Sequence, residues 1–215
     1  MPVANRNCLR AFILVTALLT GMVGSALATE PPAFKEVMAT REHLSQIRQG
    51  GYVLYVRHGL TENSRADQVP VDLKNCMTQR PLSAEGRRMA QRVGERIAKT
   101  GMPVGEVYVS IMCRAQDTAR AMFPAKSLIA DENLGYPGNM TAEEKRPIVA
   151  RTQALLSALP AAGENTVVVA HAPNLMEVIG YFPPEGAVVI FKPEGDGRFA
   201  YVATITPAHW NDLLP

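Results

Sequence analysis

The chain has little cysteine, little aromatic content and almost no net charge, and each shortage excludes something. Three cysteines and four histidines, with no Cys-x-x-Cys and no His-x-x-x-His, leave none of the usual zinc-ligand spacings. Neither a Gly-x-Gly-x-x-Gly nor a Gly-x-x-x-x-Gly-Lys-Ser/Thr occurs, so phosphates are not cradled in either familiar nucleotide loop. A formal charge of only +2 argues against a nucleic-acid partner, which needs a basic face. Even that excess is local. Arg6 and Arg10 stand at the N-terminus with no acidic residue near them, and the chain beyond them is balanced. No internal repeat and no low-complexity tract is present.

Behind those two arginines, Ala11 to Leu19 is apolar except for Thr16, and Ala26-Leu27-Ala28 offers a small-x-small cleavage site. Residues 1–28 therefore read as a secretory signal peptide cleaved before Thr29, with 29–215 as a single domain. A retained anchor is the alternative, since Ala11 to Ala28 approaches the ~20 residues a span needs. Cleavage implies a periplasmic or secreted protein with no stable membrane insertion. Two cysteines then remain, Cys76 and Cys113. In an oxidising compartment they are expected to pair and so brace the segment around Arg114. Two unrelated buried thiols are the other reading.

The apolar runs Tyr52–Val56, Gly105–Ser110 and Thr166–Ala170 read as buried strands. Ser127–Ala130 reads as a short one. Helical spacing appears over 34–48 and over 83–99, where Ser83 is a good N-cap and Gly101 a good stop. Thr141-Ala142-Glu143-Glu144 fits a capping box for a helix to about Leu159. A short helix from Asn174 to Tyr181 follows, then a hairpin of 187–191 and 199–205 turned at Gly195-Asp196-Gly197. Strands alternating with helices predict an α/β three-layer sandwich, its central sheet mostly parallel and flanked by helices. Residues 59–81, with Pro70 and Pro81, form a long irregular loop of the kind that is usually functional.

Chemistry concentrates at the ends of those strands, where open α/β sheets carry their sites. The first strand runs into Arg57-His58-Gly59. The second is followed by Cys113-Arg114-Ala115-Gln116-Asp117-Thr118-Ala119, and the third ends in His171. Leu82-Ser83-Ala84-Glu85-Gly86-Arg87-Arg88 opens the helix between the first two. Two arginines offer forked donors that match phosphate oxygens, and an imidazole can attack phosphorus without a metal.

These segments, in this order, resemble the histidine phosphatase superfamily, with its phosphoglycerate mutase-like fold, over roughly residues 50–192. The resemblance implies a phosphomonoester hydrolase that forms a phosphohistidine on His58. Arg57, Arg114 and His171 would complete the phosphate pocket, with no metal or organic cofactor. The proton donor is less clear. Acid-phosphatase relatives carry Asp after the second histidine, where this chain has Ala172. Mutase-like relatives place a Glu after the Arg-x-x-x-Thr-Ala motif, where Glu132 is the match, and Glu62 is a second candidate. Ser64 and Met176 stand where mutases carry Asn and Arg, which disfavours a phosphosugar mutase. The segment Asp72 to Leu82 looks like that of exported bacterial phosphatases acting on lipopolysaccharide heptose phosphates, with Arg80 or Lys74 facing the substrate. The expected partner is a small phosphomonoester or a phosphorylated glycan. A non-catalytic phosphate-binding protein on the same fold is the alternative.

Overall fold

Strand β1 (Val53–Arg57) lies at the centre of a six-stranded sheet, and its first four residues are fully buried. The structure, a computed structural model, describes Met1 and residues 33–214, so the leader expected over 1–28 lies outside the described residues. β1 pairs in parallel with β4 (Asn165–Ala170) on one side and antiparallel with β5 (Val188–Gly195) on the other. Beyond β4 come β2 (Val104–Ser110) and β3 (Leu128–Asp131), both parallel, and β6 (Arg198–Ile205) closes the far edge against β5. The order is β3-β2-β4-β1-β5-β6: four parallel strands carrying an antiparallel hairpin.

Because strand side chains alternate, the central strands feed two cores. Leu54, Val56, Val167 and Val169 pack beneath α1 (Arg41–Ile47), α2 (Ala84–Thr100) and α3 (Cys113–Met122). Val53, Tyr55, Val168 and Ala170 pack beneath α4 (Ala142–Ser157) and α5 (Ala172–Ile179). This is the expected three-layer sandwich. Among the described residues, no helix is long and apolar enough to cross a membrane.

The predicted caps are in place. Ser83 accepts from the Gly86 amide, Gly101 ends α2 in the left-handed region, and Thr141 and Glu144 form a reciprocal capping box. The N-terminal segment differs from expectation, because only Arg41–Ile47 is helical. Thr40 caps that helix, with His43 bonding back to the Thr40 amide. The residues ahead of it pair instead with β6: Thr204 donates to the Val37 carbonyl, and Ala39 donates to the Thr204 carbonyl. Phe34 stacks on Tyr181, ring centroids 4.3 Å apart. Helix α5 starts at Ala172, two residues before the expected Asn174, so His171 is its N-cap residue. A last short helix, α6 (Trp210–Leu213), was not expected from the sequence; it buries the single tryptophan.

Candidate phosphate site

Parallel register brings the two histidines together. Arg57 pairs with Ala170, and the His58 amide donates to the Ala170 carbonyl at 3.0 Å, so the residues that follow β1 and β4 emerge side by side. The His58 and His171 rings stand edge to face with centroids 5.2 Å apart, both fully buried. β2 ends level with β4, and Ser110 Oγ lies 2.9 Å from His171 Nε2. Beneath the pair, the Tyr55 hydroxyl donates to the His171 carbonyl at 2.7 Å.

The ring of His58 has a defined tautomer. Its Nδ1 lies 2.9 Å from the Gly59 carbonyl, which can only accept, so the neutral imidazole keeps its proton on Nδ1 and a free lone pair on Nε2. Burial, then the Arg114 charge, pushes this imidazole down to about 3. Burial also holds His171 well below the ordinary histidine value, with Arg114 and His58 acting the same way. Both histidines are therefore neutral at physiological pH.

Arg114, in the first turn of α3, is fully buried and directed beneath the strand ends. Its Nη1 pairs with Asp67 at 3.0 Å, while its Nε and Nη2 have no hydrogen-bond partner within the protein. Arg57 donates through Nη1 to the Pro183 carbonyl at 2.7 Å, and its Nε is likewise buried and unpartnered. The same is true of Arg80 Nε and His171 Nδ1. Arg80, expected with Lys74 either to face the substrate or to be a solvated loop cation, adds its charge to those that lower the proton affinity of both histidines. Buried donors are normally satisfied. Four such guanidinium nitrogens on three arginines, with the unpartnered Nδ1 of His171, outline a candidate anion site.

The loop between β1 and α2 is fastened to α3. Cys76 and Cys113 form the expected disulfide, Cα atoms 5.7 Å apart. Fully buried Gln79 accepts from the Cys113 amide at 2.9 Å, giving α3 the N-terminal partner that Met112 does not supply. Thr118 stands one turn along from Arg114 on the same face. Its hydroxyl accepts from the Gly59 amide at 3.0 Å and donates to the Arg114 carbonyl at 2.7 Å. The Arg-x-x-x-Thr spacing thus ties α3 to the backbone beside His58.

Of the acids, Glu132 is exposed in a short 3-10 turn after β3 and touches none of the four pocket residues, but it lines a neighbouring cavity together with Asp67 and Tyr136. Glu62 is exposed and accepts from Ser64. Lys74 is an exposed loop residue. Three contributors escaped sequence reading. Glu185 Oε1 lies 4.0 Å from His58 Nδ1 and 3.7 Å from Arg57, held by the Thr61 hydroxyl at 3.0 Å. Asp67 binds Arg114, and Tyr136 stands edge-on to His171 beneath the Arg114 guanidinium. Proximity of Glu185 to His58 follows from β5 lying antiparallel to β1, which no local motif encodes.

Sheet order, paired histidines and converging arginines make this an α/β protein with a candidate oxyanion pocket at its strand ends. Residues 53–135 match the family described as histidine phosphatase superfamily (branch 1), a span that includes Arg57, His58 and Arg114 and ends before His171. The family read from the motifs is the family that matches. Among solved structures, the protein histidine phosphatase SixA complexed with tungstate is similar at a TM-score of 0.54 and 16% identity, covering 73% of this chain and 97% of that one. The ecdysone phosphate phosphatase of Bombix mori in complex with tungstate is similar at 0.55 and 16%, covering 73% and 93%. Phosphoserine phosphatase of Entamoeba histolytica, in complex with 3-phosphoglyceric acid, is similar at 0.51 and 15%, covering 74% and 98%. These likenesses establish the shared fold. No curated protein sequence is similar to this one.

Proposed function

We propose that the chain is a phosphomonoester hydrolase working through a phosphohistidine on His58. The carrying observation is the set of buried, unpartnered donors on Arg57, Arg80, Arg114 and His171 around a neutral imidazole whose Nε2 lone pair is free. Phosphoryl oxygens take those donors, Nε2 attacks phosphorus, and the bond to the leaving oxygen breaks. Glu132, which lines the space beside the pocket, gives the leaving oxygen its proton. Its carboxylate then takes a proton from the water that hydrolyses the phosphohistidine. Glu185, behind the ring near Nδ1, offsets the charge that His58 gains when phosphorylated. Tungstate in the SixA and ecdysone phosphate phosphatase structures is an oxyanion of related shape, and it supports an oxyanion in the equivalent pocket.

The substrate is a small phosphomonoester, turned over without metal or organic cofactor. The chain is exported by its leader, and a disulfide at the site entrance fits an oxidising compartment.

The test is hydrolysis of p-nitrophenyl phosphate with EDTA present, beside His58→Ala. Turnover is expected to survive EDTA and to fall at least ~10³-fold in the variant. Activity retained by His58→Ala would refute the mechanism. A folded wild-type protein that binds orthophosphate without turnover would instead be a phosphate-binding protein.

A further inference from the structure

Beside the phosphate pocket lies a cavity of about 240 Å³ with a different chemistry. Its apolar wall is built by Val69, Val71 and Leu73 of the fastened loop, by Ile111 and Met112 between β2 and α3, and by Met140 ahead of α4. Asp67 and Tyr136 line it as well, and both also meet the Arg114 guanidinium, so the two spaces share a boundary. An apolar cavity of ~150 Å³ is enough for a benzene ring. Val69, Leu73 and Met140 are 91%, 43% and 37% exposed, a concentration of accessible apolar side chains around one opening.

No Lys or Arg lines the cavity, Asp67 is paired with Arg114, and Glu132 carries the proton of the proposed reaction. A second phosphate or a carboxylate on the substrate would find no cationic partner there. A sugar could place hydroxyls on Gln68, Asn139, Tyr136 and the two acids, but it would leave the six apolar side chains against polar surface.

We propose that this cavity is the subsite for an apolar alcohol, alkyl or aromatic, whose phosphate ester occupies the neighbouring pocket. The proposal rests on the phosphomonoesterase reading and narrows its substrate class away from phosphorylated glycans. The disulfide and Gln79 hold the loop that carries Val69, Val71 and Leu73, so the subsite is formed before substrate arrives.

Two series test it. Calorimetry with ethyl-, butyl- and hexylphosphonate, which are not hydrolysed, reads the subsite without turnover, and hydrolysis of the matching alkyl phosphates beside glucose 6-phosphate reads it in the reaction. Each methylene is expected to raise affinity ~two- to fourfold until the cavity is full, at least tenfold from ethyl to hexyl. Hexyl phosphate is expected to exceed glucose 6-phosphate in kcat/KM. Leu73→Asn with Met140→Gln should flatten the series and leave orthophosphate affinity unchanged. A flat series in the wild-type protein, a gradient that survives the double variant, or a preference for glucose 6-phosphate overturns the subsite. A gradient in binding with no turnover of any ester overturns the enzymatic reading and leaves the subsite standing. Failure to bind any phosphonate overturns both.

Discussion

Thr118 carries more than its place in a common motif suggests. Its hydroxyl is the partner of the Gly59 amide, the peptide group next to His58, and it is fully buried. Thr118→Val keeps the shape and removes the acceptor, so a buried N–H is left unsatisfied at about 1–3 kcal/mol. Urea unfolding should register that loss, and kcat should fall while KM for p-nitrophenyl phosphate moves little. Unchanged stability would mean that the amide is satisfied some other way. Arg57, His58, Arg114 and His171 were legible because each adjoins a strong strand or helix signal. Asp67, Tyr136 and Glu185 were not, since loops bring them in and their identities are ordinary for loops.

Helix α2 and the turn after His58 approach so closely that only glycine fits on either side. A Cβ on Gly86 would lie 1.9 Å from the Leu60 carbonyl oxygen, and one on Gly59 would lie 2.8 Å from the Gly86 carbonyl oxygen. Helix propensity alone favours Ala over Gly by up to about 1 kcal/mol. The backbone contact opposes it, so Gly86→Ala is expected to destabilise by about 1–3 kcal/mol and to displace His58. Chemical denaturation decides by sign: a stabilised variant contradicts the close-approach account. Elements themselves were read well where burial makes one pattern. The central parallel strands are buried on both faces and appear as near-continuous apolar runs. The segment over 34–40 misled because Phe34, Val37 and Met38 mimic helical spacing while Phe34 serves an aromatic cluster and 37–39 pair with a sheet edge. That pairing joins residues more than 160 positions apart, beyond the reach of local periodicity.

For the molecule as a whole, a pocket built around two neutral histidines makes stability depend on acid. His58 is lowered to about 3 and His171 lies well below its ordinary value, so the unfolded chain binds more protons than the folded one between about pH 3 and 6.5. The stabilisation is fully present above pH 6.5 and is lost as pH falls through that window. The shift of His58 alone corresponds to something on the order of 5 kcal/mol. Thermal or urea unfolding followed from pH 7 to pH 4 should show this decline, and His58→Asn should have a shallower slope. Equal slopes in the two proteins would mean that His58 does not titrate as its burial requires. Orthophosphate, held by the same donors, should raise the wild-type curve at neutral pH by mass action.

The most direct test of the central claim is to trap the phosphoenzyme. The protein is mixed with p-nitrophenyl phosphate, quenched within the first turnovers under alkaline conditions that preserve phosphohistidine, and digested for mass spectrometry. The account predicts a phosphoryl group on the peptide containing His58, absent from His58→Ala and lost on mild acid treatment. Sustained hydrolysis with no phosphohistidine, or with the phosphoryl group on another residue, would contradict it.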